Sequence, residues 1–229
     1  GEEYWFQHLE TGLYRLTEAG PELKYAASEL PVPLILGLFR DATGEVVVTN
    51  DGLTRPGQAA AFSTAKLNAY LTQHKVSAFA ELPDGNLVIG TLSGGLVLAS
   101  RTGEIIRIWA DSGSGLPGRA IIGLATDPSG EILGTSPTDF FHFPTSGDRT
   151  VFNSLNGLRG EVVNRFTFWK STLYAATDDG TYRQTATDHF TQSRQIRLDV
   201  VQSLRTAQMH TETGHHFVGY GKHLVLLAN

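Results

Sequence analysis

Residues 76–109, VSAFAELPDGNLVIGTLSGGLVLASRTGEIIRIW, constrain the fold more than any other stretch of this chain. Four short runs of β-branched and aliphatic residues stand in a row: Val76–Glu81, Leu87–Thr91, Leu96–Ser100 and Glu104–Trp109. Between them lie Pro83-Asp84-Gly85-Asn86, Ser93-Gly94-Gly95 and Thr102-Gly103. These residue types preset φ or tolerate a positive one, so each separator favours reversal of the chain. Connections this short join only antiparallel neighbours, and the stretch predicts a four-stranded meander.

The second hairpin of that meander has counterparts along the whole chain. They are Tyr4–His8 with Leu13–Leu16, Glu45–Thr49 with Leu53, Glu131–Thr135 with Phe140–Phe143, Thr172–Thr177 with Thr181-Tyr182, and His216–Tyr220 with His223–Leu226. The turn positions Gly12, Gly52, Gly95, Asp139, Gly180 and Lys222 are about 40, 43, 44, 41 and 42 residues apart. A leading strand precedes the hairpin at Leu34–Phe39, Val76–Ala80, Ile121–Ala125, Val163–Phe168 and Val200–Leu204. These strands are short and apolar on both faces, as the crowded innermost strand about an axis must be. The expectation is an all-β fold, a β-propeller of four-stranded antiparallel blades. It has about six repeat units, with five to seven blades in the ring and residues 1–229 forming one domain.

Two places depart from the repeat. Residues 58–75, QAAAFSTAKLNAYLTQHK, are Ala-rich and follow Pro56-Gly57, so either a helical insert of two turns or a ragged outer strand fits them. At the ends, the first unit lacks its leading strand and the sixth stops before its outermost one. Either Pro21–Ala27 completes the last unit and closes a five-bladed ring, or the segment belongs to a longer propeller.

Composition narrows the function. A net charge of −5 and a pI near 5.9 give no basic face for nucleic acid. No apolar run approaches the roughly 18 residues of a membrane span, so no direct membrane insertion is expected. The acidic start, Gly1-Glu2-Glu3-Tyr4, is not a signal peptide and reads as a mature or trimmed end. With zero Cys there is no thiolate nucleophile, disulfide or Cys-ligated zinc. There is also no Gly-x-Ser-x-Gly elbow and no phosphate-cradling loop. No catalytic residue, metal or cofactor is expected.

The run Gly115-Leu116-Pro117, Ile121-Ile122-Gly123-Leu124 and Asp127-Pro128-Ser129-Gly130-Glu131-Ile132-Leu133-Gly134-Thr135 resembles the two-component regulator propeller repeat. Residues 82–96, with PDGNLVIGT and then GGL, carry its second half, and Asn156-Gly157-Leu158 is a further Gly-Leu start. Where that repeat has Trp in the second strand, this chain has Val47, Val88, Leu133 and Tyr174, with Trp5 conforming. The resemblance implies a sensor or recognition module, periplasmic or extracellular, with the chemistry done elsewhere; a cytoplasmic setting stays open. A protein partner or a small acidic ligand is the expected target; an accessory scaffold subunit docked onto a larger membrane-associated complex is the alternative, and a propeller lyase or lactonase the third.

If strands alternate in direction, the connectors between units and the second-to-third-strand turns share one face. That face collects Asp51, His74, Lys75, Arg119, Asp139, Arg159 and Asp178 as the candidate binding residues. Lys75, Arg119 and Arg159 precede leading strands, where three cations could converge on a carboxylate ligand. The Asp178-Asp179-Gly180 and Asn50-Asp51-Gly52 turns have the oxygen ligands of a Ca²⁺ site, but the same residues are the preferred hairpin turns. Histidines 210, 215, 216 and 223 crowd the last unit; 215 and 216 point to opposite faces of a strand and cannot chelate together. Trp5, Trp109 and Trp169 could stack on sugars or pack the blades.

Overall fold

In the computed structural model, the structure describes residues 4–30, 35–58, 62–110, 113–126, 129–137, 139–143, 150–159, 163–169, 172–186, 189–192, 216–220 and 223–227. They form six consecutive antiparallel sheets. The first is β1 (Tyr4–His8), β2 (Gly12–Thr17) and β3 (Gly20–Ala26). The second is β4 (Ile35–Asp41), β5 (Gly44–Thr49) and β6 (Gly52–Thr54), followed by helix α1 (Ala65–His74). Full four-stranded meanders come next: β7 (Val76–Glu81), β8 (Leu87–Thr91), β9 (Leu96–Ala99) and β10 (Ile105–Trp109), then β11 (Gly123–Thr126), β12 (Ile132–Thr135), β13 (Phe140–Phe143) and β14 (Thr150–Phe152). A third is β15 (Val163–Trp169), β16 (Thr172–Thr177), β17 (Gly180–Ala186) and β18 (His189–Gln192), and the hairpin β19 (His216–Tyr220) and β20 (His223–Leu227) ends the series. The innermost strands β4, β7 and β11 lie side by side, and the architecture is a β-propeller.

Register is the same from sheet to sheet. Each leading strand begins opposite the Thr that ends the second strand: Ile35 against Thr49, Val76 against Thr91, Gly123 against Thr135 and Val163 against Thr177. A bulge directly follows that first pair in β4, β7 and β15. It turns the strand more sharply where the inner strands converge.

The alternation of side chains explains why these strands read as unbroken apolar runs. In the third sheet Phe79, Leu87, Ile89, Val97 and Ala99 face the second sheet and α1. Ala78, Ala80, Val88 and Leu96 face the fourth. In the fourth sheet, Ile132, Phe141 and Phe143 look back while Leu133 and Phe140 look on to Tyr182 and Phe190 of the fifth. A strand buried on both faces has no polar side to show. Gly37 and Gly90 mark close approaches: a Cβ would lie 2.4 Å from Phe79 of the third sheet at the first and 2.7 Å from Ile121, in the connector into β11, at the second. Trp109 is buried edge-on to Phe143, 5.2 Å between rings, so this indole packs blades together. Trp5 is half-buried in β1.

Of the two readings of residues 58–75, the helix is the one the structure holds. Its start is Thr64, whose Oγ1 accepts the amide of Leu67, and not Pro56-Gly57. Leu67 and Leu71, four apart, are fully buried against Val46, Val48 and Leu53, so α1 takes the outer-strand position of the second sheet. The strand β3 pairs with β2 in its own sheet, and among the described residues it makes no pair with the last hairpin. The expected leading strand Val200–Leu204 and the histidines 210 and 215 lie outside the described residues, as do the side chains of His216, His223 and Trp169.

Candidate functional site

The face that carries the candidate residues is built by one repeated device. At the end of each second strand a hydroxyl closes the turn to the third. Thr49 Oγ1 donates to Gly52 O (3.1 Å) and accepts the Asp51 amide (3.3 Å). Thr91 Oγ1 donates to Gly95 O (3.0 Å) and accepts the Gly94 amide (2.8 Å). Thr177 Oγ1 donates to Gly180 O (3.1 Å) and accepts the Asp179 amide (3.1 Å). In the fourth sheet the strand again ends in a threonine, Thr135, but the next residue, Ser136, accepts the Asp139 amide (3.0 Å). Asp51, Asp139 and Asp178 therefore sit in turns whose geometry needs no metal, and no group of three or more metal-ligating side chains occurs among the described residues.

Connectors lie against these turns, as strand alternation requires. The Leu92 amide donates to the carbonyls of His74 (3.1 Å) and Lys75 (2.9 Å), the Gly95 amide to Arg119 O (2.8 Å), and the Ile121 amide to Thr91 O (2.9 Å). The end of α1, the β8–β9 turn and the connector into β11 thus form one rim. Within it His74 Nδ1 meets Ser93 Oγ at 3.0 Å and Tyr70 donates to Gly94 O at 2.6 Å. The Tyr70 and His74 rings are 4.4 Å apart, one helical turn from each other. Gly94 is what lets both rings in, because a Cβ there would lie 2.6 Å from the His74 ring. Burial raises the Tyr70 pKa, and the nearby Arg119 charge opposes the shift.

The seven candidates share the face but not one cluster. Lys75 is bound to Asp51, Nζ to Oδ1 at 2.7 Å, with both side chains exposed. Lys75 is also the single non-glycine with positive φ, +55°, among the described residues. Arg119 is exposed and has no ion-pair partner among the described residues. Arg159 lies in another sector, where its amide meets the Tyr182 hydroxyl, which itself donates to Asp179 Oδ2 at 2.6 Å. Burial, and after it that aspartate, push Tyr182 up to about 12. Asp178 is exposed at the tip of the same turn. Among the described residues no contact joins Lys75, Arg119 and Arg159 into a ring.

Sequence reasoning missed Tyr70, Ser93, Leu92 and Ile122. Tyr70 falls on the face of His74 only once the helix is assigned. Leu92 and Ile122, 50% and 40% exposed, read as core residues at strand ends. Leu9 (62%) and Leu155 (90%) are exposed on the same face, in the β1–β2 turn and in the connector into β15.

No family model matches the sequence, and no curated protein does either. Solved structures do. The extracellular domain of the hybrid two component system BT3049 from B. thetaiotaomicron superposes with a TM-score of 0.63 at 16% identity, over 95% of this chain and 31% of that one. A catalytically inactive virginiamycin B lyase from Staphylococcus aureus, with quinupristin, gives 0.56 at 14% identity over 98% of this chain and 73% of that one. PorZ, a surface component of the type-IX secretion system of Porphyromonas gingivalis, gives 0.53 at 15% over 82% and 25%. The chain thus spans under a third of the length of the sensor domain it matches. At these identities the likeness is one of fold, a β-propeller that the sensor domain and the lyase share.

Proposed function

We propose that this chain is a non-catalytic recognition module, periplasmic or extracellular, whose connector face takes an acidic partner. The observation that carries this reading is the character of that face. Exposed cations (Arg119, Arg159) and exposed aliphatic side chains (Leu9, Leu92, Leu155) stand on the connectors and turns of that face, beside turns closed by the hydroxyls of Thr49, Thr91, Ser136 and Thr177. Rigid turns carrying unspent charge and apolar surface are the makings of a docking surface. The sensor-propeller fold over 95% of the chain supports the same reading. The likeness to PorZ, a secretion-system component, favours a second one, an accessory subunit of a membrane-associated complex.

The test is the mass of the native assembly purified from its own cell, for the wild type and for the double variant Arg119→Ala, Arg159→Ala. Both arginines are exposed, so the variant is expected to fold. A partner held by the connector face is lost or weakened about tenfold. A folded double variant that keeps its partner unchanged overturns the reading. A large stoichiometric complex selects the accessory-subunit reading over a lone sensor.

A further inference from the structure

The connector face is uneven, and one sector of it has the parts of a specific site. The segments that carry Leu92 and Ile122 are joined, because the Ile121 amide bonds to Thr91 O and the Arg119 carbonyl receives the Gly95 amide. Arg119 lies on the same short connector, three residues before Ile122, exposed and without a carboxylate partner among the described residues. Beside them Lys75 is tied to Asp51, so the local charge left over belongs to Arg119. The floor is stiff: Tyr70 and His74 are held by Gly94 O and Ser93, and α1 is anchored through Leu67 and Leu71. Isolated exposed leucines are ordinary on any surface. Two exposed aliphatic residues and an arginine with no ion-pair partner among the described residues, carried on hydrogen-bonded segments of a braced rim, are a patch with complementary chemistry.

We infer that the sector formed by Leu92, Arg119 and Ile122 docks an internal segment of a partner protein that sets a carboxylate between aliphatic side chains. Arg119 takes the carboxylate, and Leu92 and Ile122 take the aliphatic groups. The occupant is an internal segment, because a carboxylate with aliphatic side chains to both sides of it occurs within a chain, whereas a terminal carboxylate has side chains on one side only, and here the exposed cation shares its rim with two exposed aliphatic residues. The inference rests on the recognition reading above and names its target.

The experiment is amide-shift mapping on the isotope-labelled chain with three probes. They are the blocked peptide Gly-Leu-Asp-Leu-Gly, its twin Gly-Leu-Asn-Leu-Gly, and free acetyl-leucine. The acidic peptide is expected to shift residues around Leu92, Arg119 and Ile122, and to bind about fivefold more tightly than the Asn twin. Arg119→Gln removes that preference and leaves the rest of the spectrum unchanged, and Arg119→Lys restores part of it. Equal binding of the twin, absence of shifts, or shifts centred on another sector overturns the proposal. Tighter binding of acetyl-leucine than of the blocked peptide overturns the internal-segment assignment. The two failures are distinct: if the Arg119, Arg159 double variant loses its native partner while the twin binds as well as the acidic peptide, recognition stands and this sector is not its site.

Discussion

The turns β4–β5, β7–β8 and β9–β10 lie on one face of the stack, and β5–β6, β8–β9 and β16–β17 on the other. The two faces are fastened differently. On the first, charges are spent in ion pairs within each sheet, and one arginine reaches across to the next. Arg40 holds one oxygen of the Glu45 carboxylate (2.6 Å), whose other oxygen accepts from Tyr25 of the first sheet (2.9 Å). Arg55 grips Asp41 at 2.5 Å with its guanidinium over the Phe62 ring. Arg101 of the third sheet pairs with Glu81 (2.7 Å) and donates to the Arg40 carbonyl (2.8 Å). On the other face the fastening is done by threonine hydroxyls and backbone amides, and Arg119 is left over. A face whose charges are consumed internally is architecture; a face held by neutral groups keeps its charges for something else.

The largest test of that contrast is Thr91→Val. It preserves shape and removes a hydroxyl that is fully buried, leaving the Gly94 amide without its acceptor. A loss of about 2 kcal/mol in denaturant unfolding is expected. A loss below about 0.5 kcal/mol would show that backbone bonds alone hold the connector face.

Next comes Arg55→Met, which keeps a stem over Phe62 and removes the charge. The hydrogen bond from Arg55 is the main reason the Asp41 carboxyl is lowered to about 2 from its ordinary 3.8. A depressed carboxylate contributes stability that is full above its unfolded pKa and lost as pH falls through the folded one. The variant should therefore melt below the wild type at neutral pH, by about 1 kcal/mol. The gap should close between about pH 4 and pH 2. A gap that persists at pH 2 would mean that packing, not charge, ties this face.

The smallest effect is expected for Lys75→Gly. The substitution gives up an exposed ion pair and relieves a positive φ that costs an L-residue about 1 kcal/mol. The two nearly cancel, leaving a slight gain of about 0.5 kcal/mol in thermal unfolding. A loss of more than about 1 kcal/mol would place a structural ion pair on the connector face and erase the contrast.

Much of the fold was legible in the sequence because each unit spells the same local physics. A strand ending in threonine needs a turn that offers it an amide and a carbonyl, and glycine or aspartate follows at Gly52, Gly95, Asp139 and Gly180. Helix α1 was ambiguous for a local reason too. Its cap, Thr64, sits in the middle of the Ala-rich run, and its apolar stripe consists of just two residues, Leu67 and Leu71. Strand alternation put all seven candidate residues on one face. It could not show which of them meet, because pairing such as Lys75 with Asp51 depends on how neighbouring sheets are staggered. Leu92 and Ile122 were hidden by their chemistry, since an aliphatic residue at a strand end looks the same whether a neighbour covers it or not.

The apolar interior has a further consequence. It is not a single kernel but three seams, each shared by two consecutive sheets, with α1 wedged into the first. In such a series cohesion is a matter of nearest neighbours, and damage does not spread evenly. A lesion at Tyr182 or Phe190 loosens the fourth and fifth sheets while Leu71 and Phe79, two seams away, keep their partners. Amide exchange in this molecule should accordingly open by the sector, like pages of a book, and not all at once.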